Sequence, residues 1–455
     1  MRGPFMPRTT LLASVVCSLA ALSGAAQAQS LNELYEAARA YDASYLASRA
    51  AADSVQYRLT QAQALKKPTL GLGSSVTHSQ VDPPTVYAST AAGQVKVAGD
   101  RVGSTTVQAG LSASYSLYNR ASGVTISQAE RAVEVARAEL EIAEQDLMVR
   151  VAQAYFDVLA AREALATAQA AKKATAEQLA SAKRNFEVGT ATITDTREAQ
   201  ARFDRGLATE LAAENDLRVK RVTLDQLVGR VDVSPKPLAV PVALPAVEPL
   251  AVEPWLQRAE EGHPQLRRAR LGLEVAQLEI DKARAGNAPT LDLTGSLGGQ
   301  DASGRGASPK GFTSSASVGV QFKMPLYTGG ATDARIKETL ALAERSRNDV
   351  EFARRTVAEN TKRAFLSLQS LGAQVRAFES AEASSKLALE ATQLGYKVGV
   401  RVNLDVLNAQ AQLFATQNDL AKARFDSLMV GLRLRQASGQ LRPEDIAALD
   451  ALLAK

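Results

Sequence analysis

Cysteine is almost missing from this 455-residue chain: there is one, together with two histidines and one tryptophan. A single thiol cannot close a disulfide, and two histidines are too few for a metal cluster or histidine-based catalysis. Aromatic residues are scarce as well, at 5%, although hydrophobic residues reach 46%. Large globular cores are filled by bulky aliphatic and aromatic side chains. An alanine-rich chain instead suits helices packed closely along their length. Basic residues are spread through the sequence, and a net charge of +5 without a Lys/Arg block gives no footprint for nucleic acid. Beyond position 28 no run of 18 apolar residues occurs, so a chain that crosses a membrane must do so as a closed β-barrel. No nucleophile elbow, metal-ligand spacing or paired acids in a cleft can be found, so neither an enzyme nor a cofactor is expected.

The N-terminus has the three parts of a secretory signal peptide. Arg2 and Arg8 supply the positive start, residues 11–22 the short apolar stretch, and Ala26-Gln27-Ala28 the small-x-small cleavage pattern. The expected leader is 1–28, with Gln29 as the mature start. The only cysteine, Cys17, lies inside it.

The rest reads as a tandem repeat. Lys67-Pro68-Thr69-Leu70-Gly71-Leu72 recurs as Ala288-Pro289-Thr290-Leu291-Asp292-Leu293, and Leu117-Tyr118 as Leu326-Tyr327. From there an offset of 210 holds: Tyr155 faces Phe365, Val188-Gly189 faces Val398-Gly399, Asp195 faces Asp405, and Gly229 faces Gly439. Between 231 and 254 lie six of the sixteen prolines, which prevents helix and favours an extended connector. The expected division is therefore 29–230 for the first repeat, 231–254 for the linker, 255–442 for the second repeat and 443–455 for a C-terminal tail.

Each repeat reads as a helix, two strands and two very long helices. Residues 124–188 contain no Gly or Pro, enough at 1.5 Å per residue for roughly 100 Å of helix. Leu147, Val151, Ala154, Val158, Ala161, Leu165 and Ala168 follow alternating steps of four and three, as do Val357, Thr361, Ala364, Leu368, Leu371, Val375 and Phe378. Such spacing is a coiled-coil seam. Glu134, Arg137, Glu141, Glu144 and Arg150 fall between seam positions and are expected to face water. The helices reverse at Gly189 and Gly399, and return helices are expected from about 195 to 228 and 405 to 434.

The strand segments alternate strictly. Val107, Ala109, Leu111, Ala113, Tyr115 and Leu117 interleave with Gln108, Gly110 and serines, and Ala316, Val318, Val320, Phe322 and Met324 interleave with Ser, Gly, Gln and Lys. Leu70, Leu72 and Val76 begin the partner strand in the first half, and Leu291, Leu293 and Leu297 in the second. This is the transmembrane β-strand pattern, apolar to lipid and small polar to the lumen, although a half-buried soluble hairpin makes it too. Residues 83–103 and 301–311 read as exposed loops. Four strands cannot close a barrel, so further copies of the chain must meet the open edges; three copies give twelve strands and leave a passage.

With these features the chain resembles the TolC family of outer-membrane channels. The most specific elements are the repeat, Met324-Pro325-Leu326-Tyr327-Thr328-Gly329-Gly330, and the run from Tyr396-Lys397-Val398-Gly399-Val400-Arg401 through Asp405 to Asn408-Ala409. The resemblance implies an α+β membrane protein: a homotrimeric, twelve-stranded outer-membrane β-barrel continuous with a long periplasmic α-helical barrel. It implies the exit duct of a tripartite efflux or type I secretion system, with a periplasmic adaptor and an inner-membrane transporter as partners, lipid around the barrel and no nucleic acid. A periplasmic coiled-coil tether or adaptor without a pore is the structural alternative; it would not need duplicated alternating strands.

The family's periplasmic entrance closes by inward coiling of the second hairpin. By motif, Tyr396 and Arg401 match inner-helix members of the links that hold it shut. Thr194 and Asp195 match their partners within the subunit, and Arg424 matches a residue that links to the neighbouring subunit. Asp405 matches the first of two acidic ring positions at the constriction, and Asn408 replaces the second. Three copies of Asp405 would still favour cations, less strongly than two rings; its place after the turn also suits a helix cap. His78, His263 and Trp255 are expected to have structural roles.

Overall fold

The computed structural model describes residues 28–82, 84–98, 101–239, 248–307 and 309–454. Apart from Ala28, the leader read in the sequence lies outside the described residues, and so does the middle of the proline-rich connector. Contact clustering divides the chain into two compact units. One gathers Ala138–Arg267 and Phe352–Lys455 with the N-terminal stretch through Ala50; the other holds Ala51–Arg137 and Arg268–Glu351.

The first half opens with α1 (Leu31–Tyr41) and α2 (Ala43–Ala64), followed by β1 (Thr69–Val81), β2 (Val86–Thr90), β3 (Gly93–Ala98) and β4 (Val102–Asn119). Then come α3 (Arg120–Glu187) and α4 (Ile193–Val228). The second half traces the same order: α5 (Glu253–Gly262), α6 (Pro264–Arg284), β5 (Thr290–Gly304), β6 (Gly311–Lys323), α7 (Ala331–Lys397) and α8 (Asn403–Ala437). A last helix, α9 (Pro443–Asp450), occupies the stretch read as a tail.

The opening helix of each half is broken in two, which the apolar pattern does not reveal. In the first half Asp42 interrupts it, and its Oδ1 accepts from the Tyr45 amide at 2.8 Å. In the second half the break is His263, extended because Pro264 follows; its Nδ1 accepts from the Gln265 amide at 3.1 Å. The loop expected over 83–103 also needs correction. Its described part forms the β2–β3 hairpin, where Tyr87 pairs Lys96 and Ala88 pairs Val95 around a left-handed Gly93. Residues 301–304, read as loop, continue β5.

In the unit that holds the strands, β1, β4, β5 and β6 form one antiparallel sheet in that order. Across it Thr69, Ser114, Thr294 and Gly319 line up on one face, and Leu72, Leu111, Leu297 and Ala316 on the other. The apolar face is bare: Leu72 is 79% and Val318 83% exposed. β1 and β6 each have a strand neighbour on one side only. In the helical part of this unit, Glu279 accepts from Gln128 and Arg335, each at 2.7 Å. Burial alone would raise its pKa, but these bonds and Lys282 hold it below the usual carboxylate range.

The other unit holds the main core. Leu31, Leu34, Tyr35 and Ala38 form one face of α1 and are buried against Leu147, Met148, Val151, Ala152, Tyr155, Phe156 and Leu159 of α3. Phe425, Leu428, Met429 and Leu432 of α8 join them, with Ile446 and Leu449 of α9. Tyr155 meets Phe156 edge-on at 5.6 Å, and Phe156 meets Phe425 at 6.0 Å. Asp450 Oδ1 accepts from the Leu31 amide at 2.7 Å, a carboxylate at the positive end of α1. Around residues 234–239 the connector is extended and tied down, Gln29 N donating to Ser234 O at 2.8 Å and Ala239 N to Leu452 O at 2.9 Å, whereas Glu253 and Pro254, read as linker, already belong to α5.

The seam positions Leu147, Val151, Ala154, Val158 and Ala161 are buried, as are Val357, Thr361 and Val375 of the second series. Glu134, Arg137 and Arg150 face solvent, but Glu141 and Glu144 are half-buried. Glu144 accepts from Tyr35 Oη at 3.2 Å and pairs with Arg39 at 3.2 Å, and Glu141 pairs with Arg267. Helix packing covers these two acids because their faces turn toward other helices of the core.

Candidate functional site

The two helical hairpins end in turns with the same hydrogen bonds. Gly189 N donates to Phe186 O, and Thr190 N and Ala191 N both donate to Asn185 O. In the second hairpin Gly399 N donates to Tyr396 O, and Val400 N and Arg401 N both donate to Gly395 O. Gly189 and Gly399 sit at φ 79° and 82°, the left-handed region where other residues are strained. The offset of 210 is therefore kept bond for bond. Val188, Val398 and Val400 stand exposed at the turns.

Side chains at the two turns differ. Thr192 caps α4: its Oγ1 accepts from the Asp195 amide at 3.2 Å, and Asp195 Oδ2 accepts from Thr192 N at 2.9 Å and from Thr192 Oγ1 at 2.7 Å. This is a reciprocal capping box. At the start of α8 the corresponding residue is Val402, which has no side-chain acceptor. The Asp405 amide turns to Val402 O at 3.1 Å, and Asp405 Oδ2 accepts weakly from Val402 N at 3.4 Å. Asp405 also lies 3.6 Å from Arg401 Nη1.

The structure brings together only some of the residues expected at the gate. Tyr396 and Arg401 do not meet Thr194 and Asp195. Asp195 is committed to its capping box, and Thr194 is exposed beside it. Tyr396 Oη instead accepts from Asn185 Nδ2 at 3.0 Å, and Arg401 stays with Asp405, its Cγ lying over Gly395. Arg424 pairs within the chain, with Glu379 at 2.8 Å. Asn408 is exposed, and its Oδ1 accepts from Arg202 Nη2 of α4 at 2.9 Å.

In the part of the hairpins toward the tips three ties join the first to the second: Asn185 to Tyr396, Arg202 to Asn408, and Gln178 to the buried Asn403. Each runs through a side-chain amide, and none is an ion pair. Asn185, Arg202 and Gln178 escape motif reading, and Asn403, although inside the run 396–409, carries no role by resemblance. The signal that could have found Asn185 is the repeat itself, because it occupies the register of Gly395. Next to these ties Leu179, Ala182, Ala199 and Leu407 form a small apolar cluster.

Two long helices show uncovered apolar stripes. On α7, Phe352, Leu366, Leu387 and Leu394 are exposed and separated by 14, 21 and 7 residues, all multiples of seven. They lie on one face of the helix as an interrupted apolar stripe, with Glu359, Ala373 and Ser380 at the intervening sevenfold positions, distinct from the buried seam. On α4, Leu207, Leu211, Val219 and Val222 are likewise exposed. By contrast α8 buries residues along its whole length, from Asn403 to Leu434.

Comparison with known proteins places this geometry. The family of outer membrane efflux proteins matches residues 34–230 and 255–440. The outer membrane protein TolC of Vibrio cholerae serotype O1 is 31% identical over 441 residues, covering 96% of this chain and 97% of that one. The alkaline protease secretion protein AprF of Pseudomonas aeruginosa is 32% identical over 315 residues, covering 68% and 64%. Among solved structures, the outer membrane protein VceC of Vibrio cholerae superposes with a TM-score of 0.74 at 20% identity, covering 90% of this chain and 96% of its own.

Proposed function

The chain belongs to the outer membrane efflux protein family, and from that premise we propose how its geometry makes a duct. It is an outer-membrane exit duct for efflux or type I secretion, with a large periplasmic portion. The working form is a homotrimer in which β6 of one copy pairs with β1 of the next, closing twelve strands around a lumen lined by Ser, Thr, Gly and Gln. The apolar face then meets lipid, so every strand edge is paired and no backbone donor is left in hydrocarbon. The same closure lays the exposed stripe of α7 against the exposed stripe of α4 in the adjacent copy. Each protomer uses two different surfaces, a head-to-tail contact that closes into a ring. The observation that carries this reading is the pair of uncovered stripes: Phe352, Leu366, Leu387 and Leu394 of α7 and Leu207, Leu211, Val219 and Val222 of α4 all stand in water in the lone chain.

The chain is read as two copies of one unit, 29–230 and 255–442, joined by the connector 231–254. The duct is passive. A periplasmic adaptor and an inner-membrane transporter open it and choose the cargo, and the hairpin tips form its periplasmic entrance. Asp405, Asn408, Tyr396 and Arg401 line or brace that entrance, with Thr194 and Asp195 at the first tip and Arg424 higher on α8. Weak links suit a gate, since a hydrogen bond or an exposed ion pair contributes about 1 kcal/mol and an adaptor can replace it.

The test is a heat-modifiable trimer in outer-membrane fractions and stepwise conductance in planar bilayers. Leu387→Asp with Leu394→Asp should leave the chain folded while the trimer is lost. Arg401→Ser with Tyr396→Phe should raise conductance, since it removes the Asn185 tie and frees Asp405. A soluble, monomeric, non-conducting protein would overturn the duct; unchanged conductance in the double variant would overturn the gate.

A further inference from the structure

One stretch of α8, near its C-terminal end, faces a hollow. Bounded by α5, α8 and α9, this pocket measures about 300 Å³. Trp255, Leu428, Leu432, Leu434 and Leu449 give it apolar walls, and all five are buried. Packed interiors seldom hold voids much larger than a water molecule. Gly431 lines the same hollow: apart from its own helix, a Cβ there would meet no heavy atom within 4 Å. Glycine is a poor helix former, and the position 210 residues earlier holds Arg221, so the repeat does not require a glycine here.

The polar groups around the hollow are already engaged. Arg435 pairs with Asp445, which also accepts from the Arg442 amide at 2.9 Å. The Trp255 indole N–H donates to Pro249 O at 3.1 Å. Arg258, over the Trp255 ring at 5.7 Å, donates to Gln440 Oε1 at 3.4 Å. Glu248 is exposed and stays hydrated. Among the described residues, none of the buried side-chain polar atoms that lack a partner belongs to this wall. A charged guest would therefore lose its hydration without gaining a free counter-charge, and water inside would find few groups to bond.

We propose that this hollow is a binding site for a small, uncharged, apolar molecule of the size of a substituted benzene ring. An apolar cavity of about 150 Å³ already holds benzene, so the larger volume here takes a ring with a short alkyl or halogen substituent. Gly431 keeps the site open, and the guest packs α8 against α5 and α9. The site goes beyond the duct reading, since it needs neither a trimer nor an entrance.

Trp255 is the chain's only tryptophan, so its fluorescence reports on the hollow directly. The experiment titrates bromobenzene, whose heavy atom quenches an indole on contact, into the purified protein. Quenching should saturate in the unaltered protein. Gly431→Leu, which fills the hollow, should abolish the saturable part, and Gly431→Ala, which fills less of it, should weaken binding several-fold. Toluene should raise the melting temperature of the unaltered protein and leave that of Gly431→Leu in place. Circular dichroism checks that both variants fold; if the leucine variant does not, the alanine variant carries the comparison. Quenching that never saturates, or that saturates equally in the unaltered protein and the folded variants, overturns the site. Saturable quenching of equal strength by brominated benzenesulfonate or brominated benzyltrimethylammonium overturns the assignment to an uncharged guest.

Discussion

Helices α3 and α7 occupy corresponding places in the two halves, yet their surroundings differ. In α3 Phe156 is 1% exposed, packed between Tyr155 and Phe425; 210 residues later Leu366 is 61% exposed. Both carry an apolar residue at the same register, so the pattern alone does not determine what covers it. In the first half the cover comes from the chain itself, through α1, α8 and α9. In the second half no described element of the chain covers Leu366. The two return helices invert this relation, with α8 buried along its length and α4 exposing an apolar stripe. Duplicated sequence thus yields one buried helix in each hairpin and one with an exposed apolar stripe. Internal copies diverge where their neighbours differ.

The sharpest way to break the correspondence is at the glycines that end α4 and α8. Gly229 and Gly439 both cap in the left-handed region, at φ 68° and 69°. A Cβ on Gly229 would meet the ring of Tyr41 at 2.4 Å, whereas one on Gly439 would meet the backbone of His263 at 2.6 Å. Tyr41 is 57% exposed and can swing into water; the backbone at His263 cannot move, because α5 and α6 both start or end there. Both alanines carry the left-handed penalty of about 1–2 kcal/mol. Gly439→Ala should cost about 3–5 kcal/mol in all, and Gly229→Ala little beyond the shared penalty. Thermal melting followed by far-ultraviolet circular dichroism checks this, and equal shifts in the two variants would refute the backbone argument.

A second contrast lies at the breaks themselves. Asp42 is held by two bonds from Arg150, at 2.9 and 3.0 Å, and these bonds keep its carboxyl below the usual range. His263 has no such partner; burial, only partly opposed by Glu141, pushes it from 6.5 down to about 4. Its Nδ1 accepts from the Gln265 amide, which also requires the neutral ring. With a folded value below the unfolded one, stability is complete above about pH 6.5 and falls as the pH drops toward 4, because only the unfolded chain takes up the proton. The full effect is about 3 kcal/mol. Asp42 stability persists lower and is lost only below the ordinary carboxylate value of 3.8. Acid should therefore loosen the second half first. His263→Asn, which keeps an acceptor for Gln265, should flatten the decline between pH 6.5 and 4, measured as urea midpoints across that window. An unchanged slope would count against His263.

Most of the element order can be read from residues because it rests on local chemistry. A long stretch without Gly or Pro makes nearly all of α3, α7 runs on through Gly372 and Gly395, glycine sets the two reversals, and period-two alternation gives the four sheet strands. What could not be read depends on long-range approach. The breaks at Asp42 and His263 occur where Gly229 and Gly439, nearly two hundred residues away, press against the chain, and no local pattern announces them. The β2–β3 hairpin was hidden because its few alternating residues lie among Pro, Gly and Ser. At the tips, motif resemblance singled out Tyr396, Arg401, Asp405 and Asn408, all of which cluster there. Within the chain Tyr396 meets Asn185, Asn408 meets Arg202, and Arg401 and Asp405 meet each other, while Asp195 is held by its own capping box.

The smallest effect tests the tips against each other. Thr192 and Val402 stand at the same register before α4 and α8, but only threonine offers an oxygen to the amide three residues on. That amide, on Asp405, makes do with the Val402 carbonyl at 3.1 Å, and the reciprocal bond from Val402 N to the Asp405 carboxylate is stretched to 3.4 Å. Val402→Thr should complete the box and stabilise the start of α8 by about 1 kcal/mol. The gain is local, so it belongs in amide hydrogen exchange: protection at Asn403, Leu404 and Asp405 should rise about fivefold for that energy. Thr192→Val should lower protection at the start of α4 by a similar factor. If Val402→Thr leaves exchange unchanged, the second turn is held by Arg401 and Tyr396 instead of by its cap. The tips would then share their backbone bonds while differing in what keeps them closed.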